Sequence, residues 1–91
     1  MRSRAHVIFY GRVQGVWFRS NTERKAVEEG LTGWVQNLPD GSVEALFEGD
    51  KNTIQSVIDW CQHDQPYARV DRIELSWHEF KDEYNGFRVL R

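Results

Sequence analysis

The sequence predicts an α+β sandwich, in which one sheet packs against helices. Two segments with helical periodicity alternate with extended apolar runs, and the turn Pro39-Asp40-Gly41 separates two of these runs. Elements in the order β-α-β-β-α-β form a split βαβ arrangement, because two βαβ halves meet in one sheet. We therefore predict a ferredoxin-like sandwich: an antiparallel sheet with both helices on one face and a short C-terminal strand.

The predicted strands contain alternating or continuous apolar residues and are bounded by turn residues. They cover residues 4–12, 31–38, 42–49 and 68–79, with a last short strand at Phe87 and Val89. The third strand has one buried face, and Glu44, Leu46 and Glu48 lie on the other. Val70 is out of phase with the apolar residues that follow it, so we expect a bulge or a later start in the fourth strand.

The first helix is predicted over residues 21–29. Ser20 and Glu23 form a capping-box pattern at its start, and Gly30 has the position of a C-terminal cap. The apolar side of this helix is small, so we expect it to pack closely on the sheet through Thr22, Ala26 and Val27.

The second helix has the clearer pattern. Asp50 is its predicted N-cap, and its apolar stripe has the i, i+3, i+4, i+7 spacing at Ile54, Val57, Ile58 and Cys61. We expect it to end near His63, because Pro66 disfavours a helical residue before it.

Length and composition predict a single domain over residues 1–91. A chain of this size has room for a surface cleft but for no large enclosed site. One cysteine among 91 residues excludes an internal disulfide framework, and we expect a cytoplasmic protein without signal peptide or membrane span. A net charge of -2 argues against a general nucleic-acid binder and favours a small ligand.

The turn after the first strand is a candidate anion site. Gly15 allows successive backbone N–H groups to converge, and the following helix directs its free N–H groups to the same point. Arg19 can add two parallel hydrogen bonds to a phosphate. The alternative is an ordinary turn with a surface arginine. The predicted phosphate-binding loop, residues 14–19, consists of Gln14, Gly15, Val16, Trp17, Phe18 and Arg19.

Asn37 is the second candidate, because its amide both donates and accepts at the end of the second strand. A turn-capping asparagine is the alternative. The crossover rule places the first and third strands side by side, which brings the 14–19 loop close to the hairpin that contains Asn37. By contrast, His6, His63 and His78 lack metal-ligand spacing, and Cys61 is expected to be an inert core thiol.

Three ordered motifs resemble those of the acylphosphatase family. They are Gly11-Arg12-Val13-Gln14-Gly15-Val16 followed by Phe18-Arg19, then Gly30-Leu31-Thr32-Gly33-Trp34-Val35-Gln36-Asn37, and Asp40-Gly41 with Val43-Glu44. The resemblance spans the chain, although residues 62–85 match little. It implies that Arg19 binds the substrate phosphate and that Asn37 positions the attacking water. Trp17 occupies a position where the family varies, and it is a candidate for the acyl side of the cleft.

The resemblance implies a hydrolase that converts acyl phosphates to carboxylate and inorganic phosphate without a metal or other cofactor. The expected partners are a small acyl phosphate and inorganic phosphate or another small anion, without nucleic acid or a membrane, and the expected state is a monomer. The alternative is a non-catalytic anion- or RNA-binding module on the same fold. Glu44 and Glu48 on the third strand argue against RNA.

Overall fold

A computed structural model describes all residues, 1–91, and shows a five-stranded sheet with two helices packed on one face. In chain order the elements are β1 Arg2–Arg12, α1 Phe18–Glu28, β2 Thr32–Asn37, β3 Val43–Asp50, α2 Lys51–His63, β4 Arg69–His78 and β5 Phe87–Leu90. The strand order is β4-β1-β3-β2-β5, which confirms the ferredoxin-like prediction. The sheet is mixed, because β5 pairs with β2 in parallel while the other pairs are antiparallel.

The strand β1 lies inside the sheet, between β3 and β4, as its apolar residues on both faces predict. Its pairing with β4 shifts at Tyr10 and Gly11, where the pairs change from Tyr10 with Arg72 to Gly11 with Val70. The predicted bulge is therefore present, with Asp71 as the extra residue. Gly11 is required here, because a Cβ would lie 2.3 Å from the Arg69 carbonyl oxygen.

The helix α1 begins three residues earlier than predicted, at Phe18, and has no capping box. Trp17 is the N-cap residue, and Ser20 donates its hydroxyl to the Trp17 carbonyl at 3.2 Å instead of accepting from a helix N–H. Val27 is 59% exposed, so the buried side consists of Phe18, Thr22 and Ala26. The predicted end is correct, because Gly30 has φ 75 and donates to the Val27 carbonyl.

The helix α2 matches its prediction at both ends. The Asp50 carboxylate accepts from the Thr53 N–H, and all four stripe residues are buried. Burial raises the pKa of the Cys61 thiol to about 11, which fits an inert core thiol. Neither helix has the length and apolar character needed to cross a membrane.

The face of the sheet opposite the helices is partly covered by the 79–86 segment, which we define as the strap. Glu48 was expected on a solvent-facing surface, but its side chain is fully buried beneath the strap. Its two oxygens accept from the Lys81 N–H at 2.7 Å and the Glu83 N–H at 3.1 Å. The Arg4 guanidinium lies 3.3 Å away and balances the charge. This cluster holds the strap against β1 and β3.

We predict that Glu48→Gln lowers the free energy of unfolding by about 3 kcal/mol. The amide removes the buried one of the two carboxylates that pair with the largely buried Arg4, the other being Glu83, and places an NH₂ group against one of the two backbone donors. The matched control is Glu28→Gln, which breaks an exposed helix pair with Arg24 and should cost about 0.5 kcal/mol or less. Urea unfolding of both variants checks this, and equal losses would contradict the role of Glu48.

Candidate active site

A cleft of about 270 Å³ lies where the loop after β1 meets the end of β2. Both residues singled out from the sequence, Arg19 and Asn37, line it. The remaining lining residues come mostly from the loop and the first turn of α1, and are Val13, Gly15, Trp17, Phe18, Ser20 and Arg91. Of the predicted 14–19 loop, Gln14 and Val16 do not line the cleft. The cleft therefore brings Arg19 and Asn37 together, as the strand topology predicts.

The backbone of the loop takes left-handed conformations on both sides of Val16. Gly15 has φ 74 and Trp17 has φ 63. A Cβ at Gly15 would meet no atom within 4 Å, so glycine is favoured there by the backbone angle and not by lack of space. This curvature leads directly into α1, whose first N–H groups have no acceptor within the helix. Such converging N–H groups attract an anion.

Apolar side chains fix this loop to the core. Val13 and Phe18 are each 1% exposed and Val16 is 6% exposed. The Phe18 ring packs against Phe9 of β1 with 5.0 Å between centroids. The loop is therefore held in place by three buried side chains, of which Val13 and Phe18 also line the cleft, and this anchoring limits the reorganisation needed when an anion binds.

The Gln14 side chain joins the loop to the β2–β3 hairpin. Its Nε2 donates to the Leu38 carbonyl at 2.8 Å and to the Ser42 carbonyl at 2.9 Å. These carbonyls flank the turn just beyond Asn37. Gln14 was predicted to belong to the phosphate-binding loop, but its side chain points to the hairpin. It positions the two sides of the cleft relative to each other.

The turn itself is fixed by Asp40, whose Oδ1 accepts from the hydroxyl and the N–H of Ser42. These two bonds, the hydroxyl bond first, lower the pKa of Asp40 below its usual value. Asn37 thus lies next to a turn that is held both by its own hydrogen bonds and by Gln14.

Gln65 is a supporting residue that the sequence did not reveal. Its side chain is buried, and its Nε2 donates to the Thr22 hydroxyl at 2.7 Å and to the Phe18 carbonyl at 3.3 Å. It therefore anchors the first turn of α1, the turn that contains Arg19. No sequence signal could identify it, because it follows α2, 47 positions after Phe18.

The two candidate residues retain free hydrogen-bonding capacity. Arg19 takes part in no ion pair, and its Nη1 makes one long contact of 3.4 Å with the Leu90 carbonyl. The Asn37 Oδ1 is buried and has no hydrogen-bond partner in the chain. The Gln65 Oε1 is also buried without a partner but lies outside the cleft, so the Asn37 amide is the one such acceptor among the residues that line the cleft.

The histidines lie outside the cleft. His6 bonds to Glu44 at 2.7 Å, and His78 lies 2.9 Å from the Ser76 hydroxyl. No three His, Cys, Asp or Glu side chains are grouped in a way that could hold a metal ion.

The chain is similar to known proteins over nearly its whole length. The family model described as Acylphosphatase matches residues 5–89. The chain belongs to the acylphosphatase family. An acylphosphatase of Thermoplasma volcanium is 48% identical over 91 residues, covering 100% of both chains. The crystal structure of acylphosphatase from Bacillus subtilis has a TM-score of 0.92 and 33% identity, covering 100% of both chains. An acylphosphatase structure from Coxiella burnetii has a TM-score of 0.90 and 37% identity, covering 98% of this chain and 93% of that one.

For this acylphosphatase chain we predict that Gln14→Leu lowers the free energy of unfolding by about 1–2 kcal/mol. Leucine fills a similar volume but cannot donate to the carbonyls of Leu38 and Ser42. The control is Gln55→Leu on the exposed side of α2, where the glutamine bonds only to Asp59 and the change should be within about 0.5 kcal/mol. Chemical unfolding compares the two variants. A Gln14 variant as stable as wild type would show that the two hydrogen bonds from Gln14 do not stabilise the fold.

Proposed function

We propose that this chain hydrolyses the carboxyl–phosphate bond of acyl phosphates, with the phosphate held by Arg19 and the 14–19 loop and the water positioned by Asn37. The proposal rests on three groups that line the same cleft. They are a guanidinium without an ion pair, the N-terminal N–H groups of α1 and a buried amide oxygen without a partner.

Phosphate binding follows from charge and geometry. Gly15 and Trp17 have left-handed backbone angles and lead into the N-terminus of α1, whose free N–H groups and positive dipole end favour an anion. Arg19 lines the same cleft, and its guanidinium can donate two parallel hydrogen bonds to phosphate oxygens. The long contact with the Leu90 carbonyl costs little to break.

The substrate class follows from what the cleft offers chemically. An acyl phosphate leaves as a carboxylate whose conjugate acid has a pKa of about 4, so departure needs no general acid. A loose transition state places charge on the phosphoryl oxygens and asks little of the nucleophile. Arginine and preorganised N–H groups stabilise this charge. The cleft therefore suits a substrate with a good leaving group.

Asn37 supplies the position of the nucleophile. Asn37 lines the cleft, and its side-chain amide can hold a water by a hydrogen bond, which leaves a lone pair of the water oxygen for phosphorus. As the new phosphorus–oxygen bond forms, the bond to the acyl oxygen breaks and the carboxylate leaves with the electron pair. The water proton passes to a phosphate oxygen or to solvent. The products are a carboxylate and inorganic phosphate.

The alternative, a non-catalytic RNA- or anion-binding module, has less support. Stacking of RNA on a sheet needs exposed aromatic residues among basic ones on the open face. On β3 that face carries Glu44, which pairs with His6, and Glu48, which is buried under the strap. A cytoplasmic location and a monomeric state stay predictions from the sequence.

The test is release of phosphate from acetyl phosphate and benzoyl phosphate in the presence of a chelator. We expect activity in wild type, and a loss of at least roughly 10²–10³ in kcat/KM together with lost phosphate binding in Arg19→Ala. Asn37→Ala should lose turnover but retain phosphate binding. Arg24→Ala is the matched control, because Arg24 is exposed on the same helix and pairs with Glu28.

Three outcomes would oppose the proposal. Phosphate binding without any turnover in wild type would favour the anion-binding alternative. Salt-sensitive RNA binding without hydrolysis would favour an RNA module. Equal losses in Arg19→Ala and Arg24→Ala would show that general positive charge, rather than the Arg19 geometry, sustains the reaction.

A further inference from the structure

The four tryptophans differ in whether the fold uses them. Trp34 donates its indole N–H to the Tyr84 hydroxyl at 3.2 Å. Trp60 and Trp77 pack against the core and lie under cationic side chains, with the Lys51 ammonium 4.9 Å from the Trp77 ring. Trp17 is 73% exposed and has neither an indole hydrogen bond nor an aromatic or cationic partner. The fold therefore gives no reason for a tryptophan at position 17.

The backbone at Trp17 adds to this contrast. It has φ 63 and ψ 19, a left-handed conformation that bulky side chains rarely adopt and that glycine or asparagine adopts more readily. Because the indole is exposed in the free protein, its burial does not offset the strain of this backbone conformation. Strain of this kind commonly lies at functional sites.

We propose that the Trp17 indole is the platform for the acyl group, and that this chain favours acyl phosphates with flat, aromatic acyl groups over acetyl phosphate. Trp17 lines the same cleft as Arg19 and Asn37. With the phosphate bound at Arg19 and the loop N–H groups, the acyl group must extend from the phosphate towards the rim. Trp17 adjoins that phosphate position in the chain and is open to solvent.

The selectivity follows from the interaction. An indole face offers apolar area and an offset-stacked contact to an aromatic ring, which adds to area burial by an amount that acetyl cannot obtain. Binding energy from this remote part of the substrate also helps to hold the phosphorus in line with the water. The inference rests on the proposed function, since it concerns the acyl half of the same substrate.

The test compares kcat/KM for benzoyl phosphate, cyclohexanecarbonyl phosphate and acetyl phosphate. The benzoyl-to-acetyl ratio within one variant cancels any general effect on the loop, and comparison of this ratio between wild type and variant cancels the intrinsic reactivities. We expect the ratio to fall about fivefold in Trp17→Asn, which removes the indole but tolerates the left-handed backbone, and to be largely retained in Trp17→Phe. The benzoyl-to-cyclohexanecarbonyl ratio should also fall in Trp17→Asn, because a saturated ring makes no stacked contact with the indole.

The matched control is Tyr67→Asn. Tyr67 is also an exposed aromatic residue with a left-handed backbone, at 77% exposure and φ 67, but it does not line the cleft. Its replacement should leave the ratio unchanged.

The possible results separate this inference from the function on which it rests. A ratio that is unchanged in Trp17→Asn, or that falls equally in Tyr67→Asn, overturns the platform while phosphate release by wild type upholds the hydrolase. A wild type that hydrolyses none of the three substrates overturns the proposed function. A benzoyl-to-cyclohexanecarbonyl ratio that is unchanged in Trp17→Asn would overturn the preference for flat rings.

Discussion

Two hydrogen bonds from the Gln14 side chain hold together the two chain segments on which the cleft depends. They join the loop after β1 to the hairpin that contains Asn37, across 24 and 28 positions of sequence. Each segment is also rigid in itself. Val13 and Phe18 anchor the loop in the core, and Asp40 closes the turn of the hairpin. The distance between Arg19 and Asn37 is therefore set by packing and short hydrogen bonds before any substrate binds.

Contacts on the face of the sheet opposite the helices also help to position the strands next to the cleft. Glu48 and Arg4 hold the strap, and the strap ends at Gly86, whose carbonyl accepts from the Gly33 N–H. The strand β5 follows directly and pairs in parallel with β2, which places the Leu90 carbonyl within reach of Arg19. The strap that this buried ion pair holds thus leads into the strand whose Leu90 carbonyl contacts Arg19.

Most of the fold was predictable because its signals are local. The helix α2 has both an N-cap and a complete apolar stripe, and the hairpin has a Pro-Asp-Gly turn. The start of α1 was not predictable from local rules, because Trp17 adopts a left-handed conformation that residue type disfavours. The Ser20 pattern resembled a cap, but the turn places its hydroxyl on a carbonyl.

The residues of the candidate site also fall into two groups, those that the sequence identified and those that it did not. Arg19 and Asn37 were identified from residue chemistry, strand topology and family motifs, and the cleft contains both. The supporting residues were not identified. The direction of the Gln14 side chain and the anchoring of α1 by Gln65 depend on contacts between distant segments, and the burial of Glu48 depends on the course of the strap.

The most direct test of the central claim is a titration of the ¹⁵N-labelled chain with inorganic phosphate, followed by NMR. We expect saturable shifts at the backbone amides of residues 15–20, the Arg19 guanidinium and the Asn37 side chain. Arg19→Ala should abolish these shifts, while Arg24→Ala should not. Shifts confined to other basic residues, such as Arg88 beside the strap, with an unperturbed loop, would contradict the central claim.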